Sequence, residues 1–415
     1  MDSFTIVTIL TICSALFGYI NVRFLKLPNT IGMMLITIVF TLILVIVGQF
    51  DDTLLQQEKE IITSIDFKTV LLDVMLSFLL FAGALHTNFA QLKVQRWPVL
   101  VFATAGVLVS TFLVGIIMFY MLGFVGLSVD FIYCLLFGAL ISPTDPIAVL
   151  GILKQAGAPK ILETKIVGES LFNDGVGVVV FLTIFSIASN GIGNTNAISI
   201  IELFGLEVLG GIILGLILGW ITFRLMRSID NYEIEVIITL ASVMGGTLIA
   251  QKLHLSAPLA MVTAGLAVGN DTVRNMAMSK VTETYVDKFW ELVDVLLNAI
   301  LFVLIGMELL ILVFEKNYLI AGLIAIPVVL LSRYLSLWIP IKIFTKRLEF
   351  VPYTNVIMTW GGLRGGISIA LALSLSPEMH RELFLVITYV IVVFSIIGQG
   401  LTVESVVKKL TNNTN

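Results

Sequence analysis

Apolar runs of roughly membrane-spanning length follow one another from residue 4 to residue 403, separated by short polar loops. A helix crosses the hydrocarbon core of a bilayer with about 20 apolar residues. Each run therefore reads as a spanning helix, and the chain as an all-α integral membrane protein of about thirteen spans. The predicted spans are 4–22, 30–48, 69–86, 97–122, 131–153, 163–188, 202–226, 234–253, 257–269, 289–314, 318–344, 354–375 and 383–403. Span 9 is short; it could fuse with span 8 or be re-entrant. Charged residues make up 13% of the 415-residue chain, against about 25% in a soluble domain, so a single membrane domain fills residues 1–415.

The distribution of Lys and Arg tests this topology. Alternate loops and helix ends carry 17 of the 24 basic residues, among them Arg23, Lys26, Lys93, Arg96, Lys154, Lys280, Lys346, Arg347 and Lys409. The other set of loops holds five: Lys59, Lys68, Lys252, Lys316 and Arg381. The bias keeps its side along the whole chain, which supports the odd number of spans. The positive-inside rule then places the N-terminus outside and the C-terminus in the cytoplasm. The opening MDSFTIVTIL lacks a basic n-region and a small-residue cleavage site, so it reads as a retained first span. The acidic loop 49–68 reads as an external, solvated connector, and residues 404–415 as a short cytoplasmic tail. A net charge of -4 says little about partners. Cys13 and Cys134 read as small buried hydrophobes, and the three histidines have no metal-ligand spacing.

Two spans are interrupted. Span 5 carries Ser142-Pro143-Thr144-Asp145-Pro146. Two prolines three apart remove backbone donors, and in lipid the freed carbonyls need a partner, whether a cation, water or a neighbouring helix. Span 12 carries Gly361-Gly362-Leu363-Arg364-Gly365-Gly366. Interrupted helices in the two halves of a transporter point to a midplane site between them.

Ionisable groups at membrane depth are costly and usually functional. Span 6 reads Gly168-Glu169-Ser170-Leu171-Phe172-Asn173-Asp174. Ser170 and Asp174 share one helical face, and Glu169 and Asn173 the adjacent one. Oxygen ligands suit hard cations, and one carboxylate among neutral oxygens suits a monovalent ion. Burial favours the protonated form of a carboxyl, so such a group can exchange a proton for a cation. Arg333 and Arg364 lie inside spans 11 and 12 and could neutralise both acids of span 6. Pairing Glu169 with Arg333 leaves Asp174 and Asp145 for an ion; pairing everything leaves Asn173, Thr144 and two helix breaks without a role. Asp73, Glu207, Asp294 and Glu308 read as packing or interfacial acids, and Glu233 and Glu235 as part of the first turn of span 8.

The motifs ISPTDPIAVL (141–150), GESLFNDGVGVVVF (168–181), LLSRYLSL (330–337), GGLRGGISIALALS (361–374) and LLFAGALH (79–86) resemble the NhaP/NHE-type sodium/proton antiporters, in order and over essentially the whole chain. The resemblance implies an inverted-repeat antiporter fold with two discontinuous crossing helices. It implies a moving core bundle (about 97–188 and 318–403) and a dimerisation bundle (about 4–86 and 202–314). Asp174 would bind cation or proton. Asp145 and Ser170 would contribute oxygens, as would Thr144 through its backbone carbonyl, with Asn173 beside them. Glu169 and Arg333 would form a buried pair, and Arg364 would stabilise the second crossing. An Asn-Asp pair implies one-for-one exchange without net charge, and family members are homodimers. Many relatives read LLFEGALH; Ala82 here stands where they carry glutamate, which bears on the choice among sodium, lithium and potassium.

A secondary antiporter of the plasma membrane, of prokaryotic form, is the reading that follows. A potassium/proton exchanger is its nearest alternative. A channel would show pore-lining polar rings or a repeated filter. A membrane protease would show H-E-x-x-H, G-x-S-x-G or a Gly-Asp dipeptide, and an ATP-driven pump a phosphate-binding loop. The sequence has none of these. It implies no cofactor, nucleotide or nucleic acid, and its partners are the cation, protons and lipid.

Overall fold

The computed structural model describes residues 3–48, 69–145, 149, 151, 153, 156–190, 197–310, 312, 315–346 and 348–412. The acidic loop 49–68, Pro146, Lys154, Arg347 and the last three residues of the tail lie outside the described residues. Among the described residues every regular element is helical. In order they are α1 (Phe4–Leu25), α2 (Asn29–Val47) and α3 (Thr69–Leu85); α4 (Phe89–Val94); α5 (Arg96–Phe124) and α6 (Phe131–Ile141); α7 (Lys160–Asn190), α8 (Ala197–Met226) and α9 (Tyr232–Lys252). Then come α10 (Ala257–Gly269), α11 (Asp271–Ala277) and α12 (Lys280–Met307); α13 (Lys316–Phe344), α14 (Thr354–Trp360) and α15 (Gly366–Leu373); and α16 (Arg381–Leu410).

Each predicted span has a helix in its place. Span 5 is α6 followed by its break, and span 12 is α14 and α15 with a gap between them. Span 9 is α10, a helix of its own: the Ser256 hydroxyl accepts from the Leu259 N–H and separates it from α9. Two boundaries differ from expectation because hydropathy sees only the apolar part of a helix. α12 starts at Lys280, well before residue 289, where the Ser279 hydroxyl caps the Thr282 N–H at 3.3 Å. α16 runs on through most of the predicted tail.

Glycines decide how closely the helices approach. A Cβ on Gly211 would lie 2.7 Å from the Ser256 carbonyl oxygen, and one on Gly219 2.6 Å from Ala267 Cβ. On the other side of α10, a Cβ on Gly265 would lie 2.7 Å from the Phe81 carbonyl oxygen. Small residues thus let the short α10 lie tightly between α8 and α3, where in lipid van der Waals packing holds helices together. α1, α2, α3, α8, α9, α10 and α12 pack chiefly on one another, and so do α5, α6, α7, α13 and α16. The two groups meet along α7, α12 and the two broken helices.

Candidate ion-binding site

α6 ends at Ile141 because proline follows at 143, and the chain continues without helical hydrogen bonding to Asp145. α14 ends at Trp360, and residues 361–365 are likewise non-helical. The two breaks lie against each other. The Asp145 N–H donates to the Leu363 carbonyl at 2.8 Å. A Cβ on Gly365 would come 2.5 Å from Asp145 Oδ2 and 3.0 Å from Asp145 Cβ, so only glycine leaves that carboxylate where it is.

The carbonyls freed by the first break are taken by a side chain of the second break. Arg364, 2% exposed, donates from Nη1 to the carbonyl oxygens of Ser142 and of Pro143, the latter at 2.6 Å. Its own N–H donates to Ser395 Oγ of α16 at 2.8 Å. A guanidinium in this role ties both breaks together and puts positive charge at the crossing. Ser142 Oγ donates to Ser110 Oγ of α5 at 3.0 Å, which anchors the first break from behind.

α7 supplies the acids. Glu169 is fully buried and makes a two-pronged pair with Arg333 of α13: Nη1 to Oε1 at 2.5 Å and Nη2 to Oε2 at 2.8 Å. One turn on, Asn173 Nδ2 donates to Thr144 Oγ1 at 2.9 Å and to Glu169 Oε1 at 3.5 Å, and its Oδ1 accepts from the Thr144 N–H at 3.3 Å. Thr144 Oγ1 lies 3.0 Å from Ser170 Oγ. Asn173 therefore clamps the first break to α7, next to the Glu169–Arg333 pair.

Asp174 differs from Glu169. It is 3% exposed, and its Oδ1 has no hydrogen-bond partner among the described residues. With Asp145 it lines a cavity of about 50 Å³, closed on other sides by Pro143, Ser368 and Asn298. One buried water needs on the order of 10–15 Å³ of such space. The cavity can thus hold a small cation with part of its hydration, beside the carboxylates of Asp174 and Asp145. Ser170 and Thr144 sit just behind it, turned towards each other.

Two polar lining residues, Ser368 and Asn298, are additional to those the sequence points to. Ser368 lies inside the motif GGISIALALS, where glycines drew the attention. Asn298 stands four residues after Asp294 on α12; that polar pair on one face of an apolar helix was the available signal.

The family model described as "Sodium/hydrogen exchanger, transmembrane" matches residues 12–409. The chain belongs to this family. It is 50% identical over 402 residues to the Na(+)/H(+) antiporter NhaP of Pseudomonas aeruginosa, covering 96% of this chain and 94% of that protein. It is 33% identical over 393 residues to the Na(+)/H(+) antiporter NhaH of Halobacillus dabanensis, covering 94% and 93%. Among solved structures, the sodium proton antiporter MjNhaP1 from Methanocaldococcus jannaschii superposes with a TM-score of 0.77 at 19% identity, over 99% of this chain and 100% of that one. This likeness shows the fold.

In this sodium/hydrogen exchanger family member the α3 motif carries no acid at the cavity. Gly83 lines it, while Ala82 is buried in a separate apolar cluster with Phe81, Leu85 and Trp290.

Proposed function

We propose that the chain is a secondary antiporter that exchanges sodium, one ion for one proton, with both competing for Asp174. The observation that carries this reading is the buried, unpartnered oxygen of Asp174 on a small cavity shared with Asp145. Glu169 is neutralised by Arg333 and Arg364 donates to backbone carbonyls, so Asp174 remains for the cargo. Asp145 supplies a second oxygen, with Thr144, Ser170 and Asn173 bracing the break behind it. The names of the two relatives above, both Na(+)/H(+) antiporters, support sodium as the cation.

The coupling follows from charge. An empty, ionised Asp174 is costly to carry through an apolar barrier; loaded with a cation or a proton, it crosses. The helix grouping supports a core of about 97–188 and 318–403 moving against a scaffold of about 4–86 and 202–314, with the scaffold forming a homodimer. The bias of basic residues supports an external N-terminus and a cytoplasmic C-terminus in a cell membrane.

The test is cation-dependent proton movement in everted vesicles, with sodium, lithium and potassium added separately. Wild type is expected to dissipate the pH gradient on addition of sodium. Asp174→Asn is expected to insert and fold but to exchange nothing. Exchange by that variant at wild-type rates rejects the assignment.

A further inference from the structure

A second, larger cavity lies on the other side of Asn298. It has a volume of about 790 Å³. It reaches from the α1–α2 turn at Lys26 and Pro28, past Gly18 of α1, to Asp294, Asn298 and Phe302 of α12. Asn298 lines this cavity and also the one that holds Asp174 and Asp145. It is thus a side chain common to both linings.

The chemistry at that point is suited to a cation. Asn298 Nδ2 donates to Asp294 Oδ1 at 3.1 Å and to the Asp294 carbonyl at 2.8 Å. Both amide donors are therefore turned towards Asp294, and Oδ1 is left free. Asn298 is 5% exposed and its Oδ1 has no hydrogen-bond partner among the described residues. Ser14 of α1, on the same cavity, is also 5% exposed with an unpartnered Oγ. A buried acceptor without a donor is costly, and a cation supplies what it lacks. Asp294 makes no ion pair of 4 Å or less among the described residues, so a cation beside it meets no competing basic side chain in contact with the carboxylate.

We infer that Asp294 and Asn298 form a second cation station, at which a monovalent cation from the large cavity exchanges part of its water for the Asp294 carboxylate and Asn298 Oδ1 before it moves to Asp174. The inference rests on the antiporter reading and extends it from one binding carboxylate to a two-step entry. A partly exposed carboxylate with one amide oxygen binds weakly. Weak binding is what a transit site needs: strong enough to draw the ion in and loose enough to release it. The face bearing Lys26 and Pro28 is cytoplasmic in the proposed topology, so the station serves loading from the cytoplasm.

The experiment titrates sodium against proton movement in everted and in right-side-out vesicles, for wild type, Asp294→Asn, Asp294→Glu, Asn298→Ala and Asp174→Asn. Asp294→Asn is expected to raise the apparent KM for sodium about tenfold when sodium meets the cytoplasmic face, the worth of one charge-assisted contact. Its KM from the external face is expected to stay as in wild type. Asp294→Glu restores the cytoplasmic KM, and Asn298→Ala reproduces the one-sided rise, which covers the case of an Asp294→Asn protein that does not fold. A KM unchanged from the cytoplasmic face, or raised equally from both faces, overturns the station; a melting point lowered with KM intact assigns the pair to helix packing only. If Asp174→Asn is silent while the Asp294 variants match wild type, the station alone falls. If Asp174→Asn still exchanges sodium, the functional reading falls and the station with it.

Discussion

Glu169→Gln keeps the shape of the side chain and removes its charge, which makes it a sharp test of what holds the core bundle together. In the native protein both oxygens of Glu169 accept from Arg333, at 2.5 and 2.8 Å, and the two side chains are 0% and 6% exposed. Among the described residues Arg333 makes no other ion pair, and its Nε is already without a hydrogen-bond partner. Removing one member of a buried pair strands the other charge and costs about 3–5 kcal/mol. At 1.36 kcal/mol per decade that is roughly a hundred- to several-thousandfold in the ratio of folded to unfolded protein. The assay is thermal melting of the purified protein in detergent, run as a cycle with Arg333→Met and the double variant. The double variant is expected to melt above Glu169→Gln, because replacing both charges removes the stranded one. Wild-type melting of Glu169→Gln, or strictly additive losses in the cycle, would refute the reasoning.

Other outcomes follow from the same geometry. Arg364→Gln leaves the Ser142 and Pro143 carbonyls without their donor and should destabilise by about 2 kcal/mol or more, with Arg364→Lys intermediate because an ammonium lacks the planar fork; a Gln variant that melts like wild type rules this out. Gly365→Ala puts a methyl 2.5 Å from Asp145 Oδ2 and should lose exchange at a stability cost of about 1–3 kcal/mol. Since φ at Gly365 is -127°, backbone strain does not contribute, and normal exchange by the alanine variant means Asp145 can move without consequence. Competition of sodium and protons for one carboxylate makes the apparent KM for sodium fall as pH rises, because the deprotonated fraction grows. A KM independent of pH across the active range would separate the proton site from the cation site.

Much of this was legible along the chain. Hydropathy alone located thirteen spans, and their type needs no tertiary contact, since a backbone in lipid must satisfy itself within the helix. The breaks were visible too: prolines remove donors and glycines weaken helices wherever the chain folds. Helix ends in water were less visible. α12 begins at a serine cap amid charged residues that carry no hydropathy signal. The pairing of Glu169 with Arg333, 164 residues apart, could be read only as one of several ways to balance two acids and two arginines.

What the sequence by itself determined was the membrane architecture, the places where helices break and the short set of polar side chains at membrane depth. These depend on local composition and on the solvent, which is lipid. Only the tertiary structure decided which of those polar groups neutralise one another and which stay free. Arg364 goes to the carbonyls of the other break, Asn173 to Thr144, and Arg333 to Glu169. Asp174 is left facing a cavity, with Asn298 at its far wall. Coulomb and hydrogen-bond energies depend on distance in space, and in a bundle of many helices distance along the chain carries almost no information about it.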